Sequence, residues 1–429
     1  MTTATPPSLA EIASCVSGYD PNALPVAQAQ EFIARLVPRV QAVEMLAIRS
    51  ALGRVLARDI VSAIDVPAHD NSAMDGYALR GGDLAESGDT VLQVAGTGFA
   101  GAQFDGSVGA GQCLRIMTGA VMPAGLDTVV PQEFTKTDGT RVTVPAGVVR
   151  TGDNRRLAGE DLAKGEAALK AGRVLRPADL GLLASLGQAE VPVLRRLRVA
   201  FFSTGDELRS IGEPLDAGCV YDSNRYTLWG MLQRLGVDLI DMGVVRDDPA
   251  ALEVAFRHAA ENADAVITSG GVSVGEADHT KQVMKTLGDV LFWRIAMRPG
   301  RPMAIGRITS RGHDAILFGL PGNPVAVMVT FYAFVRDALL AMSGASAQPL
   351  PMLSAASTQP IRKKAGRTEY QRGIVSRGAS GWQVEITGSQ GSGILRSMSE
   401  ANGLVVLHHE QGNVAAGDRV DVLPFDGLV

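Results

Sequence analysis

Cysteine is scarce in this 429-residue sequence: Cys15, Cys113 and Cys219 lie far apart and form no CxxC pair. That excludes a disulfide-built framework and a structural zinc site of the CxxC type, and it fits a reducing compartment. The six histidines, His69, His258, His279, His313, His408 and His409, show no metal-ligand spacing, and neither a nucleophile elbow nor a triad order is visible. Serine-hydrolase chemistry is therefore not expected. An excess of positive charge is missing too, since 40 basic against 45 acidic side chains leave a net charge of −5. Bulk attraction to nucleic acid is excluded, and any anionic ligand needs a local site. The best apolar run, residues 325–335, falls short of the ~18 residues of a membrane span. The first 20 residues have no basic segment followed by an apolar core. No membrane partner is expected, and the chain reads as soluble and cytoplasmic.

What is present is enough apolar residue, 46% of the chain, to fill several cores. The length suggests about three domains. From 198 to 340, β-rich runs alternate with amphipathic helices: strands at 199–203, 237–245 and 264–268, and helices at 225–235, after Asp248-Pro249 and after Asp278. Runs at 291–297, 303–308 and 315–319 read as further strands, and Asn323-Pro324 opens a long closing helix. This alternation predicts an α/β, doubly wound, mostly parallel sheet. Residues 62–149 are glycine-rich with short β-prone runs and read as a β-rich insertion, framed by helical segments at 25–56 and 177–186, the latter stopped by Gly187. Strands at 369–375, 382–386, 404–407 and 419–423 predict a small closed or sandwich-like β domain at the end.

Ligands of open α/β sheets sit beyond the carboxyl ends of the strands, so the residues just after each strand matter most. STGDEL at 203–208 places Asp206 and Glu207 there, either as ligands of a hard cation or as solvated acids on a glycine turn. TSGGVSVG at 268–275 frees backbone amides for an anion or makes a tight turn, and it is neither a Walker A nor a GxGxxG sequence. GLPGNP at 319–324 feeds a helix N-terminus, where Asn323 either caps or helps bind negative charge. In YDSNR at 221–225, Asp222 or Ser223 can simply cap. Lys281 and Lys285, one helical turn apart, either converge on one anion or form a solvated face. Arg298-Pro-Gly-Arg-Pro302 adds two guanidiniums. DNSAMDGYA at 70–78 reads as an anion-binding turn around Asp75.

Together with RIMTGA at 115–120, GDNRRLAGED at 152–161, TEYQRG at 368–373 and GSGILRS at 391–397, these motifs occur in one order along nearly the whole chain. The sequence resembles the MoeA family, molybdopterin molybdenumtransferases related to the gephyrin E domain. The resemblance implies an N-terminal linker and dimerisation domain from 1–61 and 150–195, and a β-rich insertion at 62–149. It further implies a MogA-like α/β domain at 196–345 and a C-terminal small β-barrel at 346–429. It implies a Mg²⁺-dependent last step of molybdenum cofactor synthesis, in which adenylylated molybdopterin and molybdate give the cofactor and AMP. The implied assembly is a homodimer, with other cofactor-biosynthesis proteins and molybdoenzyme apoproteins as further partners.

The site implied by the resemblance assigns Asp206 and Glu207 to Mg²⁺ and phosphate. Asp222, Ser269, Gly270, Gly271, Ser273 and Asp278 fall on the nucleotide and pterin side, with Arg298, Pro321, Gly322 and Asn323. Lys281, Lys285, Arg372 and Ser392 handle the oxyanion. Asp75, Thr118 and Glu160 are the polar positions of the N-terminal domains. Two rival readings are an adenylyltransferase of the MogA type, which would not need the N-terminal half or the C-terminal β domain, and a gephyrin-like scaffold, whose appended module and linker the sequence does not show.

Overall fold

The computed structural model describes residues 7–272, 279–347 and 350–426. It divides into two compact units, each described by itself: the first is drawn from Met1–Glu44, Gly53–Val55 and Val193–Val429, the second from Met45–Leu52 and Leu56–Pro192.

The first unit is centred on a six-stranded sheet made of β1 (Arg198–Thr204), β2 (Asp238–Val245), β3 (Ala265–Ser269), β4 (Gly288–Arg294), β5 (Pro302–Ser310) and β6 (His313–Leu320), in the order β2-β1-β3-β6-β5-β4. Residues along β1 alternate between two cores, as a strand covered on both faces requires. Val199 and Phe201 enter the core with helix α1 (Ser223–Leu235) and helix α2 (Pro324–Thr330), through Leu228, Leu232 and Val325. Ala200 and Phe202 enter the opposite core, with Leu252 and Phe256 of the helix Pro249–Asn262 and Met284 of the helix His279–Leu287. Full burial of a side chain such as Phe201 or Phe202 contributes about 1.5–3 kcal/mol.

The expected parallel sheet holds for β2, β1, β3 and β6. β6-β5 and β5-β4 are antiparallel instead. The reason lies in the connection between β5 and β6: only Arg311 and Gly312, both at positive φ, separate Ser310 from its partner His313. A two-residue mirror-image turn makes a hairpin, whereas a parallel crossover needs a dozen or more residues. The helix expected over 25–56 is also shorter, Val26–Leu36, because Pro38 drives Val37 into extended backbone. The apolar stretch after Asn323 continues past Arg336 as Pro324–Met342, the one described helix long and apolar enough to cross a membrane, yet 72% of it is buried inside the protein. It is a core helix.

The C-terminal part of this unit is a closed ring of five strands: Thr368–Gly378, Gly381–Ile386, Leu353–Ser357, Arg419–Pro424 and Gly403–Leu407, which pairs back onto Thr368–Gly378. The sequence left a barrel and a sandwich open, and the structure is the barrel, filled by Val384, Val405, Leu407, Val420 and Val422. One segment of the central domain, Met297–Arg298, adds itself to the ring with Met297 opposite Thr368 and Arg298 opposite Glu369.

The second unit carries a six-stranded sheet whose central strands are Gly76–Leu79, Gln112–Ile116 and Thr90–Gly98. Ala78, Leu114 and Val129 fill one side, Tyr77, Leu79 and Val142 the other. The helix Pro177–Ser185 is followed by Gly187 at φ +70°, as its position after the helix predicts.

Candidate active site

β1, β3 and β6 run parallel and end side by side, so the turns that follow them meet in one place. They form the floor of a cleft of about 980 Å³, lined by Thr204, Gly205, Glu207, Ser269, Gly270, Gly271, Pro321, Gly322 and Asn323. The middle turn has no room for side chains. A Cβ on Gly270 would lie 2.4 Å from the Thr204 carbonyl oxygen, and one on Gly271 would lie 2.5 Å from Thr280 Oγ1, with φ at +95° and +65°. Glycine there lets the backbone pass close to its neighbours and present amides to a ligand. The opposite wall supplies Arg298, Arg301 and Arg367, together with Gln390, Gly391 and Ser392 from the barrel. Arg367 is already paired with the buried Glu369 at 2.7 Å, so Arg298 and Arg301 supply the guanidinium charge that balances the carboxylates of Glu207 and Asp247.

Asp206 and Glu207, adjacent in sequence, serve different spaces. Glu207 lines the cleft, whereas Asp206 lines a neighbouring depression of about 680 Å³ with Arg209, Glu213 and Arg246. The Asp247 amide donates to Asp206 Oδ1 at 3.4 Å, while the Asp247 carboxylate accepts from Thr280 Oγ1 at 3.3 Å and lines the cleft. Among the described residues no group of three or more His, Cys, Asp or Glu side chains forms a metal centre. The donors fit Mg²⁺ in kind, since that ion takes one or two carboxylates and completes its shell with water and substrate phosphates.

Asp222 is 3% exposed, does not line the cleft, and caps α1. Its Oδ1 accepts from Ser203 Oγ at 3.0 Å and from the Arg225 amide at 3.1 Å. Arg372 also stands behind the wall. Its fully buried guanidinium donates to Ser397 Oγ (2.9 Å) and to the carbonyls of Ser389 (3.1 Å), Gln390 (3.3 Å) and Gly391 (2.9 Å). Burial, and secondarily the like charge of Arg298, pushes its pKa down to about 10. It shapes the loop that presents Ser392, whose carbonyl accepts from the Val325 amide at 3.1 Å. Lys281 and Lys285 do not line the cleft; their ammonium groups lie 5.9 and 5.5 Å from the centre of the Phe292 ring. Ser273 and Asp278 lie outside the described residues.

Both guanidiniums of Arg298-Pro-Gly-Arg-Pro302 line the cleft as the sequence suggests, whereas Asn224, Asp247 and Arg367 are residues that the sequence does not single out. Asn224 carried a signal as part of YDSNR, but Arg367 becomes visible only once the barrel is docked on the central domain.

In the second unit, three separated motifs converge. Asn71–Ser72 pairs with Arg155–Arg156, the Gly119 amide donates to the Ser72 carbonyl at 2.8 Å, and Arg155 meets Asp70 at 3.3 Å. The Thr118 amide and hydroxyl both donate to Asp75 Oδ1 at 2.7 Å. These bonds, the backbone one first, hold the exposed Asp75 carboxyl below the usual range. Glu160 is likewise lowered, by Arg156 first and then by the Leu157 amide.

A doubly wound sheet whose glycine turns face a guanidinium wall defines a domain built for a large, multiply anionic ligand. Residues 24–187 match the family model of the MoeA N-terminal region (domain I and II), 200–341 the probable molybdopterin binding domain, and 354–425 the MoeA C-terminal region (domain IV). The chain is 42% identical over 404 residues to the molybdopterin molybdenumtransferase of Haemophilus influenzae, covering 94% of this chain and 98% of that one. It is 37% identical over 400 residues to the molybdopterin molybdenumtransferase of Nostoc sp., covering 91% of each. The crystal structure of the molybdopterin biosynthesis moeA protein from Pyrococcus horikoshii matches with a TM-score of 0.80 at 28% identity, over 94% of this chain and 99% of that one. The chain belongs to the MoeA family.

Proposed function

We propose that the chain is a molybdopterin molybdenumtransferase that takes adenylylated molybdopterin and molybdate to molybdenum cofactor and AMP, the last step of cofactor synthesis. The observation that carries this reading is the cleft itself: about 980 Å³, floored by amide-presenting turns and walled by Arg298, Arg301 and Arg367. Phosphate, adenylate and molybdate are all anions, and this is where the chain can hold them. The amides of Gly271 and Gly322 in the two turns donate to phosphate oxygens, since the Gly270 amide is bonded to the Leu320 carbonyl. The arginine wall neutralises charge and orients the oxyanion, and Arg372 fixes the Gln390–Ser392 loop from behind. Glu207 and Asp247, both on the cleft lining, would hold Mg²⁺ together with water and substrate phosphate. When bound, that ion neutralises the phosphoanhydride and polarises it.

The relatives of this name in Haemophilus influenzae and Nostoc sp. are bacterial, and a cytoplasmic homodimer belongs to the proposal. Sedimentation of the purified chain tests the dimer. The activity is tested by giving the protein adenylylated molybdopterin, Mg²⁺ and molybdate and following AMP release. Turnover of unadenylylated molybdopterin with ATP would instead favour an adenylyltransferase, and AMP release that ignores molybdate would overturn the transfer.

A further inference from the structure

We infer that Asn224 is a positioning residue that clamps together two of the ligand-facing turns of the cleft and so sets its affinity. This goes beyond the proposed function, names a residue with no role in it so far, and rests on that reading for its substrate.

The β3-β6 ladder ends at Ser269 opposite Leu320, with a last bond from the Gly270 amide to the Leu320 carbonyl at 3.1 Å. Beyond that point the two chains turn apart to make the Gly270-Gly271 and Pro321–Asn323 turns. Asn224 spans them. Its Nδ2 donates to Ser269 Oγ and to the Gly322 carbonyl, both at 2.7 Å. Only an amide or a cation can donate in two directions from one atom, and an amide does so without adding charge to the floor.

The clamp is held from its own side as well. Asn224 is the second residue of α1, 8% exposed, and the helix is fixed to the sheet just before it by the Ser203–Asp222 bond. The close approach is real: a Cβ placed on Gly322 would stand 3.9 Å from Gly270 Cα. Asn224 therefore ties the ends of β3 and β6 to the helix terminus that Asp222 ties to β1. The turns contact ligand phosphate before and during reaction alike, so loosening them weakens substrate and transition state together, which raises KM and leaves kcat in place.

The test is steady-state AMP release by wild type, N224A, N224D and S269A, with AMP binding by calorimetry as an independent readout. N224A should raise the KM for adenylylated molybdopterin about tenfold, the loss of one or two ordinary hydrogen bonds, and weaken AMP binding by the same factor with kcat within about twofold. N224D keeps the shape but puts an acceptor against the Gly322 carbonyl, so it should lose at least as much. The S269A/N224A double variant should be no worse than N224A, because the two share one bond. Should N224A fail to fold, N224D carries the test alone. Unchanged KM and AMP affinity in a folded variant would overturn the clamp, as would a fall in kcat alone. Inactive wild type with intact AMP binding would count against the proposed reaction, and the AMP affinities would still decide the role of Asn224.

Discussion

The cleft and the Asp75 cluster of the N-terminal unit are both made by motifs far apart in sequence, yet they are opposite in chemistry. The cleft gathers arginines and backbone amides, and its floor is shaped by Gly270 and Gly271, which cannot be replaced without collision. The Asp75 cluster presents carboxylates whose own neighbours, Thr118 and Arg156, already satisfy them. In the cleft, among the described residues, Arg367 alone of the three wall arginines has an ion pair to a carboxylate, Glu369, whereas the other region has its negative charge fixed in place. The lesson is that the cleft depends on backbone geometry, and the Asp75 cluster on side chains that can be exchanged singly.

The sharpest way to break that contrast is G270A. A Cβ there meets the Thr204 carbonyl, and φ at +95° is strained for alanine. The variant should lose about 1–3 kcal/mol of stability. Displacing the turn should cost about a hundredfold in AMP release. Urea unfolding and the turnover assay check both numbers, and wild-type values in either would remove the backbone from the argument. E207Q comes next. Its carboxylate lines the cleft, so a tenfold to hundredfold loss is expected, roughly the worth of a charged hydrogen bond. D206N, on the neighbouring depression, should lose less, and the ranking of the two is itself the measurement.

D75N should slow AMP release about tenfold and lower the melting temperature slightly at pH 7, because Thr118 can still donate to the amide oxygen but no longer to a charged one. The pH dependence distinguishes it further. The folded carboxyl is lowered, so its contribution to stability is present above the unfolded value near ~3.9 and is lost as pH falls through the folded one. Melting curves of wild type and D75N should therefore draw together in acid. K285A should have the smallest effect, under about twofold in the molybdate requirement, since Lys285 stands over Phe292 and not in the cleft. A raised molybdate requirement in K285A would put the oxyanion on that helix instead of on the arginine wall.

Much of the central domain was legible because burial on two faces leaves a plain mark. The apolar run of β1, the Asp248-Pro249 start and the leucines of α1 are local signals. The antiparallel half was not, since nothing in the composition of 302–320 separates a hairpin from a crossover except the length of the turn at Arg311-Gly312. The strand Leu353–Ser357, LSAAS, has no β-branched residue and owes its state to its partners in the ring. The same divide runs through the site. Ser269–Gly271 and Pro321–Asn323 follow strands and could be read. Arg367 and the indirect place of Arg372 depend on the barrel, well over a hundred residues from β1 in sequence.

The two rungs that join Met297–Arg298 to Thr368–Glu369, backed by the Thr368 amide donating to the Ala296 carbonyl at 2.9 Å, give part of the cleft wall to a different core. Arg298 stays in place only in molecules whose ring is shut. A small cavity far away, such as V422A, would then leave the chemistry of each competent molecule untouched and reduce how many molecules are competent at a given moment. Ligand would restore them by mass action, so the injury would look like weak binding, although its cause lies in the filling of a barrel that the ligand never enters.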